Sequence, residues 1–270
     1  PPHLTALVPL QIIIGMNLVV LILYVLIKIN RNKIRMRNYM ILGKYPVIEA
    51  IKSNFVNLSK IYILKQNVKN LQNLNCSNFE IVDKKFFNKI SKNQDIVHQG
   101  YAAKIVKNSF DLKKLIQTKN NIVLIDNVND PRNQGAIIRN CLAFNIFDII
   151  IEKKFYQEDN YFMHIASSGA TMKTRIYEVS NLNNIIKTLK NNNFYIYGFD
   201  NNGSYSIDNF EFNKNKNVFI FGSEGSGLRN NITNKCDALL KINISKEIDS
   251  LNVSNASAIS LYELYKKNRP

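Results

Sequence analysis

Three short segments of this sequence combine side chains that could do chemistry. The first, Leu124–Phe144, reads LIDNVNDPRNQGAIIRNCLAF. It opens as an apolar strand, breaks at a turn holding Arg132 and Asn133, and continues as a helix with Gly135 and Arg139. The second, Phe219–Arg229, reads FIFGSEGSGLR: a glycine turn straight after a strand, with the carboxylate of Glu224 inside it. Glycine lets backbone come close to a ligand, and a plain turn has no use for a carboxylate there. The third, Asp249–Leu264, reads DSLNVSNASAISLYEL and crowds Ser250, Asn252, Ser254 and Asn255 at the start of an apolar helix. Capping accounts for one or two of these four; the rest suit a polar ligand at the exposed amides of a helix start. Taken singly, the segments also read as a surface arginine, a structural turn and a set of caps. Together they make three ligand-type loops at the carboxyl ends of strands, and one shared site is the economical reading.

Spacing sets aside the common phosphate chemistries. Gly222 and Gly227 are spaced as in a P-loop, but Leu228 and Arg229 stand where Lys and Ser or Thr are needed. The strand NIVLID leads into no GxGxxG, which disfavours an ordinary dinucleotide site. Cys76, Cys141 and Cys236 lie far apart with no CxxC, so they read as buried free thiols in a reducing compartment, with neither a disulfide framework nor a metal site.

The elements that position these loops follow from composition and pattern. The 270 residues allow one large domain or two modest ones, and 46% apolar residues suffice for a core. A formal charge of +16 points to a polyanion, most simply nucleic acid. Part of that charge is compositional, since the chain is rich in Lys, Asn and Ile together. The same bias makes arginine informative, because a retained guanidinium suggests a need for its planar fork. After residue 40 only Arg132, Arg139, Arg175, Arg229 and Arg269 remain.

Residues 1–38 form an apolar and basic extension. Ala6–Ile27 is long and apolar enough to span a bilayer, and the basic KINRNKIRMR comes directly after it. A segment foreign to the functional protein, a membrane anchor and a buried helix all remain open for it, with Met36 or Met40 a natural start for the remainder of the chain. Residues 39–108 alternate short strands and helices in a small α/β unit: YPVIEAIKSN as helix, KIYILK as strand, FEIVDKKFFNKI as strand then helix, and HQGYAAKIVK as a strand after a turn. Residues 109–120 read as a charged connecting helix or linker. From residue 121 to the end, strands separated by helices imply a parallel sheet with right-handed crossovers.

In order and spacing, NxGAIIRNCLAF, FGSEGSGL and SLNVSNASA resemble the three motifs of the SpoU/TrmH ribose 2′-O-methyltransferases of the SPOUT class. VHQG (Val97–Gly100) resembles the end of the L30e-like RNA-binding domain of the ribosomal-RNA members. The resemblance runs from Met40 to the C-terminus. It implies an α/β fold whose SPOUT domain has a parallel sheet with a deep trefoil knot, preceded by the L30e-like domain. It further implies S-adenosylmethionine as methyl donor, a homodimer formed through the knot, no metal, and ribose methylation, of a guanosine, in large-subunit rRNA in the cytoplasm.

Carried over by motif position, the resemblance places the donor against Phe221, Gly222, Gly225, Ile242, Ile244, Ser250, Leu251 and Asn252. It makes Arg139 the catalytic arginine, with Asn133 and Glu224 orienting it and the ribose. Arg132, His98, Gln99, Lys44, Lys104 and Ser254 are the expected RNA contacts, with Lys65 and Lys107 as further lysines on the L30e-like part, and Tyr101 as its stacking aromatic. His164 reads as structural. A tRNA ribose methyltransferase, a catalytically silent knotted RNA-binding dimer and a membrane-tethered protein stay open as alternatives.

Overall fold

The computed structural model of the chain describes residues 38–267 except 73, 75, 77, 93, 94, 214 and 215. The expectations for Ala6–Ile27 and its basic flank fall outside the described residues. Among the described residues no helix is long and apolar enough to cross a membrane.

The first lobe is built from β1 (Asn38–Leu42), α1 (Lys44–Ile51), β2 (Val56–Ile63), α2 (Val68–Gln72), β3 (Phe79–Ile81), α3 (Lys84–Ile90) and β4 (Tyr101–Lys107). Its strand order is β1-β4-β2-β3, with β4 antiparallel to both neighbours and β3 parallel to β2. Sequence reading starts β2 at Lys60, but the strand begins at Val56. The register shifts between Leu58 and Lys60. That shift moves the buried face from Val56 to Ile61 and Ile63, so strict alternation is lost in the sequence. β1 itself, NYMIL, is a strand that periodicity does not announce.

Between the lobes lies α4 (Leu112–Gln117), capped by Asp111, whose carboxylate accepts from Lys113 N at 2.9 Å. It buries Leu115 in the second lobe's core, with Phe110, Leu112 and Ile116 alongside. The second lobe holds β5 (Ile122–Ile125), α5 (Pro131–Ala143), β6 (Asp148–Glu152), α6 (Tyr161–Ala166), β7 (Arg175–Val179), α7 (Leu182–Asn191), β8 (Tyr195–Phe199), β9 (Tyr205–Ser206), β10 (Asn217–Phe221), α8 (Asn230–Thr233), β11 (Ala238–Lys241) and α9 (Val253–Lys267). Its seven strands lie in the order β7-β6-β5-β10-β8-β11-β9, every neighbouring pair parallel. β5, β6 and β10 are buried along their whole length, as strands covered on both faces must be. This is the expected parallel α/β sheet.

The lobes join through buried polar groups. Lys107, expected among the RNA contacts, is only 7% exposed, and its Nζ donates to the Thr171 carbonyl at 2.7 Å. It sits at the carboxyl end of β4, where the strand runs into the second lobe, so it is a joint residue and not a surface one. Beside it, His164 bonds Thr171 Oγ1 and the Glu158 carbonyl, each at 2.9 Å, and its ring stacks on Tyr39. His164 is thus a structural residue.

Burial, aided by the nearby Lys107 charge, lowers the His164 pKa from 6.5 to about 3. The unfolded chain takes up a proton that the folded one refuses. The contribution of the neutral His164 ring to stability is therefore full above pH 6.5 and falls as the pH drops from there towards 3, by up to about 1.4 kcal/mol per pH unit. Thermal melts between about pH 7 and pH 4 are expected to show this slope, and His164→Gln to flatten it.

Candidate active site

α5 sets the geometry of the site. Asp130 caps it, accepting from Arg132 N at 2.8 Å, and Pro131 fits the first turn, where its missing N–H costs nothing. Asn133 and Asn140, two turns apart, face the start of α9. Asn140 Nδ2 donates to the Ser254 carbonyl at 2.8 Å and to Ser257 Oγ at 2.9 Å. Asn133 Nδ2 donates to Glu224 Oε1, and Asn252 Nδ2 donates to the same oxygen. Asn252 also reaches Asn133 Oδ1 at 3.3 Å. The three loops therefore meet at one carboxylate. Asn252, expected against the cofactor, points at this cluster instead, while its Oδ1 caps α9 by accepting from Ser254 N and Ser254 Oγ.

Gly135 explains how α5 is held. A Cβ there would lie 2.4 Å from the Met163 carbonyl oxygen and 2.9 Å from Ala166 Cβ, so only glycine lets α5 lie flat on α6. Gly135→Ala is expected to cost about 1–3 kcal/mol, the usual range for overpacking against atoms that cannot yield. Chemical denaturation of the variant checks this directly.

Beside Glu224 opens a pocket of about 300 Å³ at the carboxyl ends of β8, β10 and β11. Phe221, Gly222, Gly225, Ile242, Ile244, Ser250 and Leu251 line it, seven of the eight residues expected for the cofactor. The glycine loop closes on itself: Ser223 N donates to the Gly227 carbonyl at 3.1 Å, and Gly227 N donates back to the Ser223 carbonyl at 2.9 Å. A Cβ on Gly222 would lie 2.3 Å from the Gly227 carbonyl carbon, so no side chain fits in that crossing. At Gly225 a Cβ would meet nothing within 4 Å, which leaves open space on the pocket side of the loop.

Sequence reasoning misses the opposite wall, Phe199, Asp200, Asn201 and Asn202. The signal is present: FYIYGFDNNG ends a strand in an Asp-Asn-Asn-Gly turn, the same grammar as the other loops. The pocket's charge is unexpected. Asp200, Glu224 and Asp249 line it, with no Lys or Arg among the described residues, in a chain of formal charge +16.

The expected RNA contacts divide between exposed side chains and ones held by the fold. Arg139 is exposed and makes no ion pair or hydrogen bond among the described residues. Arg132, seven residues earlier on the same helix, is exposed and lies 4.7 Å over the Phe162 ring. Ser254 belongs to the α9 cap. His98 is held inside its own turn, stacked on Phe87 at 4.4 Å with Nδ1 accepting from Gly100 N at 2.9 Å. Gln99, with a φ of 52°, carries the turn and is exposed. Lys44 starts α1, Lys65 begins the turn after β2, and Lys104 projects to solvent from β4. Tyr101, expected to stack on bases, is buried at 1% exposure, its hydroxyl accepting from Asn70.

The other arginines serve the frame. Arg175 grips Asp148 with two parallel bonds of 2.6 and 2.7 Å. Arg229, just past the glycine loop, bonds Asp126 at 2.7 Å through Nε and Glu152 at 3.1 Å. Among the described residues no group of three or more His, Cys, Asp or Glu side chains is placed to hold a metal ion.

Two family models match this architecture, one to each lobe. The SpoU rRNA methylase family model matches residues 120–262, and the RNA 2′-O ribose methyltransferase substrate-binding model matches residues 40–110. The chain belongs to the SpoU methylase family. This SpoU member is 37% identical over 192 residues to a Borreliella burgdorferi protein named as a tRNA/rRNA methyltransferase, covering 66% of this chain and 83% of that one. It is 32% identical over 243 residues to a Staphylococcus saprophyticus protein named as a TrmH family tRNA/rRNA methyltransferase, covering 86% and 97%. Among solved structures, the SpoU methyltransferase AviRb of Streptomyces viridochromogenes, in complex with AdoMet, superposes with a TM-score of 0.73 at 18% identity, over 85% of this chain and 90% of that one. The AdoMet-bound rRNA methyltransferase of Sinorhizobium meliloti gives 0.73 at 21% identity, over 90% and 92%. The SPOUT fold with an N-terminal substrate-binding lobe is thereby established, and the protein is an RNA methyltransferase of this family.

Proposed function

We propose that this SpoU-family protein transfers a methyl group from S-adenosylmethionine to the 2′-hydroxyl of a guanosine ribose in large-subunit rRNA. The observation that carries the reading is the acid-lined pocket joined at Glu224 to Asn133 and Asn252. A pocket with three carboxylates and, among the described residues, no basic side chain suits a cationic, phosphate-free ligand and repels a nucleotide. When bound, S-adenosylmethionine supplies an electrophilic methyl carbon on a sulfonium. Phe221, Ile242, Ile244 and Leu251 would hold it by apolar contact, with Gly222, Gly225 and Ser250 as close-approach and polar partners.

The chain's own residues then position the acceptor. Asn133, oriented by Glu224, presents its amide to the ribose, and much of the rate comes from fixing the two reactants in line. A guanidinium offers five donors and no acceptor, which gives Arg139 the role of a donor. It grips the RNA phosphate or hydroxyl and stabilises the charge that develops on the ribose oxygen. Lys44, Lys104, Gln99 and Arg132 supply outer contacts to the strand. A second copy of the chain packs on α9, where Ile259 and Tyr262 stay 40% and 47% exposed. The free thiols of Cys76, Cys141 and Cys236 fit work in the reducing cytoplasm.

The test is methyl transfer from radiolabelled S-adenosylmethionine by the full chain, offered large-subunit rRNA and tRNA pools separately. Label in rRNA that leaves one position resistant to alkaline cleavage is the expected result. Label in tRNA alone would keep the chemistry and overturn the substrate. Tight RNA binding without label would point to a silent binding module.

A further inference from the structure

A second cavity lies at the α5 N-terminus. It has about 230 Å³ and is walled by Asn129, Gln134, Lys154, Phe155, Gln157 and Asn160. Pro131 completes its rim, and Asn133, in the same first turn of α5, bonds Glu224, so that one turn reaches both the cavity and the Glu224 cluster. Four of the six walls are side-chain amides.

Their bonding leaves a defined set of groups unused. The Gln134 amide nitrogen is spent on the Val128 and Phe155 carbonyls, both at 2.7 Å, which fixes a 2% exposed side chain in one orientation. Asn160 Oδ1 accepts from Phe162 N and Met163 N, and its amide nitrogen donates to Gln157 Oε1 at 3.3 Å. The Gln157 amide nitrogen and the whole Asn129 amide make no hydrogen bond among the described residues. Phe155 offers an apolar ring with the Lys154 ammonium 4.6 Å over one face. Amides with unused donors and acceptors beside an aromatic ring and a cation are the chemistry that recognises a nucleobase in single-stranded RNA: edge hydrogen bonds from Asn and Gln, and stacking on the ring.

We infer that this cavity receives the base of the nucleotide whose ribose is methylated. The inference rests on the RNA ribose methylation proposed above. A ribose presented to Asn133 must send its base to one side or the other, and the cofactor pocket occupies one of them. The base goes to the amide-lined side, turned out of its stack. Gln134 is then a positioning residue that holds the Phe155 segment in place, while Asn129 and Gln157 read the base edge.

The test compares wild type with the Asn129→Ala/Gln157→Ala double variant on four RNA substrates that differ only in the base of the methylated nucleotide. S-adenosylmethionine affinity is measured in parallel by calorimetry. Wild type is expected to prefer one base, and the variant to lose roughly 10- to 100-fold of that preference, the worth of one good edge contact. Its cofactor affinity should be unchanged. An unchanged base preference in the variant, with wild-type methylation intact, overturns the cavity assignment and leaves the methylation reading standing. Absence of methylation of any RNA by wild type brings down both together.

Discussion

Arg139→Lys is expected to lower the rate of methyl transfer roughly 10²- to 10³-fold, the usual effect of removing one donor aimed at developing charge. The reason lies in shape and not in net charge. Lysine keeps the positive charge but replaces a planar, five-donor fork with a single mobile ammonium. Arg139 is exposed and has no partner among the described residues, so its loss leaves no buried group unpaired. The folded state should be unaffected, and affinity for S-adenosylmethionine, read by calorimetry, should stay within a factor of about two. A variant that keeps full single-turnover rate would remove Arg139 from the chemistry.

Arg229→Met has the opposite profile, with a large effect on stability. Asp126 is fully buried and Glu152 nearly so, and Arg229 bridges the two from the end of the glycine loop. Without the guanidinium, Asp126 retains only the Arg229 backbone N–H at 3.1 Å. Glu152 keeps the Leu182 amide at 3.1 Å and the Lys154 ammonium at 3.3 Å. Stranding a buried carboxylate costs about 3 kcal/mol, the lower end of the range because the guanidinium side is partly solvated. For a body of this size that is roughly 6–12 °C in the melting temperature. The glycine loop ends at this anchor, so cofactor affinity should fall as well. Loss of less than about 1 kcal/mol would show that water replaces the guanidinium without penalty.

The three chemistry-bearing loops are legible because their side chains are of a kind that packing does not demand: an amide, a carboxylate and a polar helix start, each after an apolar strand. Their convergence on Glu224 Oε1 is not, since sequence spacing says nothing about distance in space. The placement of Asn252 shows the limit: motif position assigns it to the cofactor, while three-dimensional proximity bonds it to Asn133 and Glu224. Arginine is indeed kept for its planar fork, but at Arg175 and Arg229 the fork serves buried carboxylates of the frame. β1, β7 and β11 escape notice because they are short strands with polar or charged ends, and β2 because its register shift breaks the alternation. Lys107 and Tyr101 read as outward-facing because a lysine and a tyrosine are cheap to expose; the lobe joint buries the first and the core of the first lobe the second.

On the function proposed above, the acid lining of the Glu224 pocket has a consequence for turnover. Lysines over the outside draw a polyribonucleotide in from a distance, and the draw weakens with salt. Asp200, Glu224 and Asp249, which line the pocket, oppose that field locally. The strand's phosphates are therefore held at the threshold, and the protein's surface potential acts as a sieve that admits a small cation and stops a long anion. Once the methyl group has left, the spent donor carries no sulfonium charge, so the same three carboxylates grip it less. Attraction outside and selectivity inside come from one uneven distribution of charge, and the release of product is built into it.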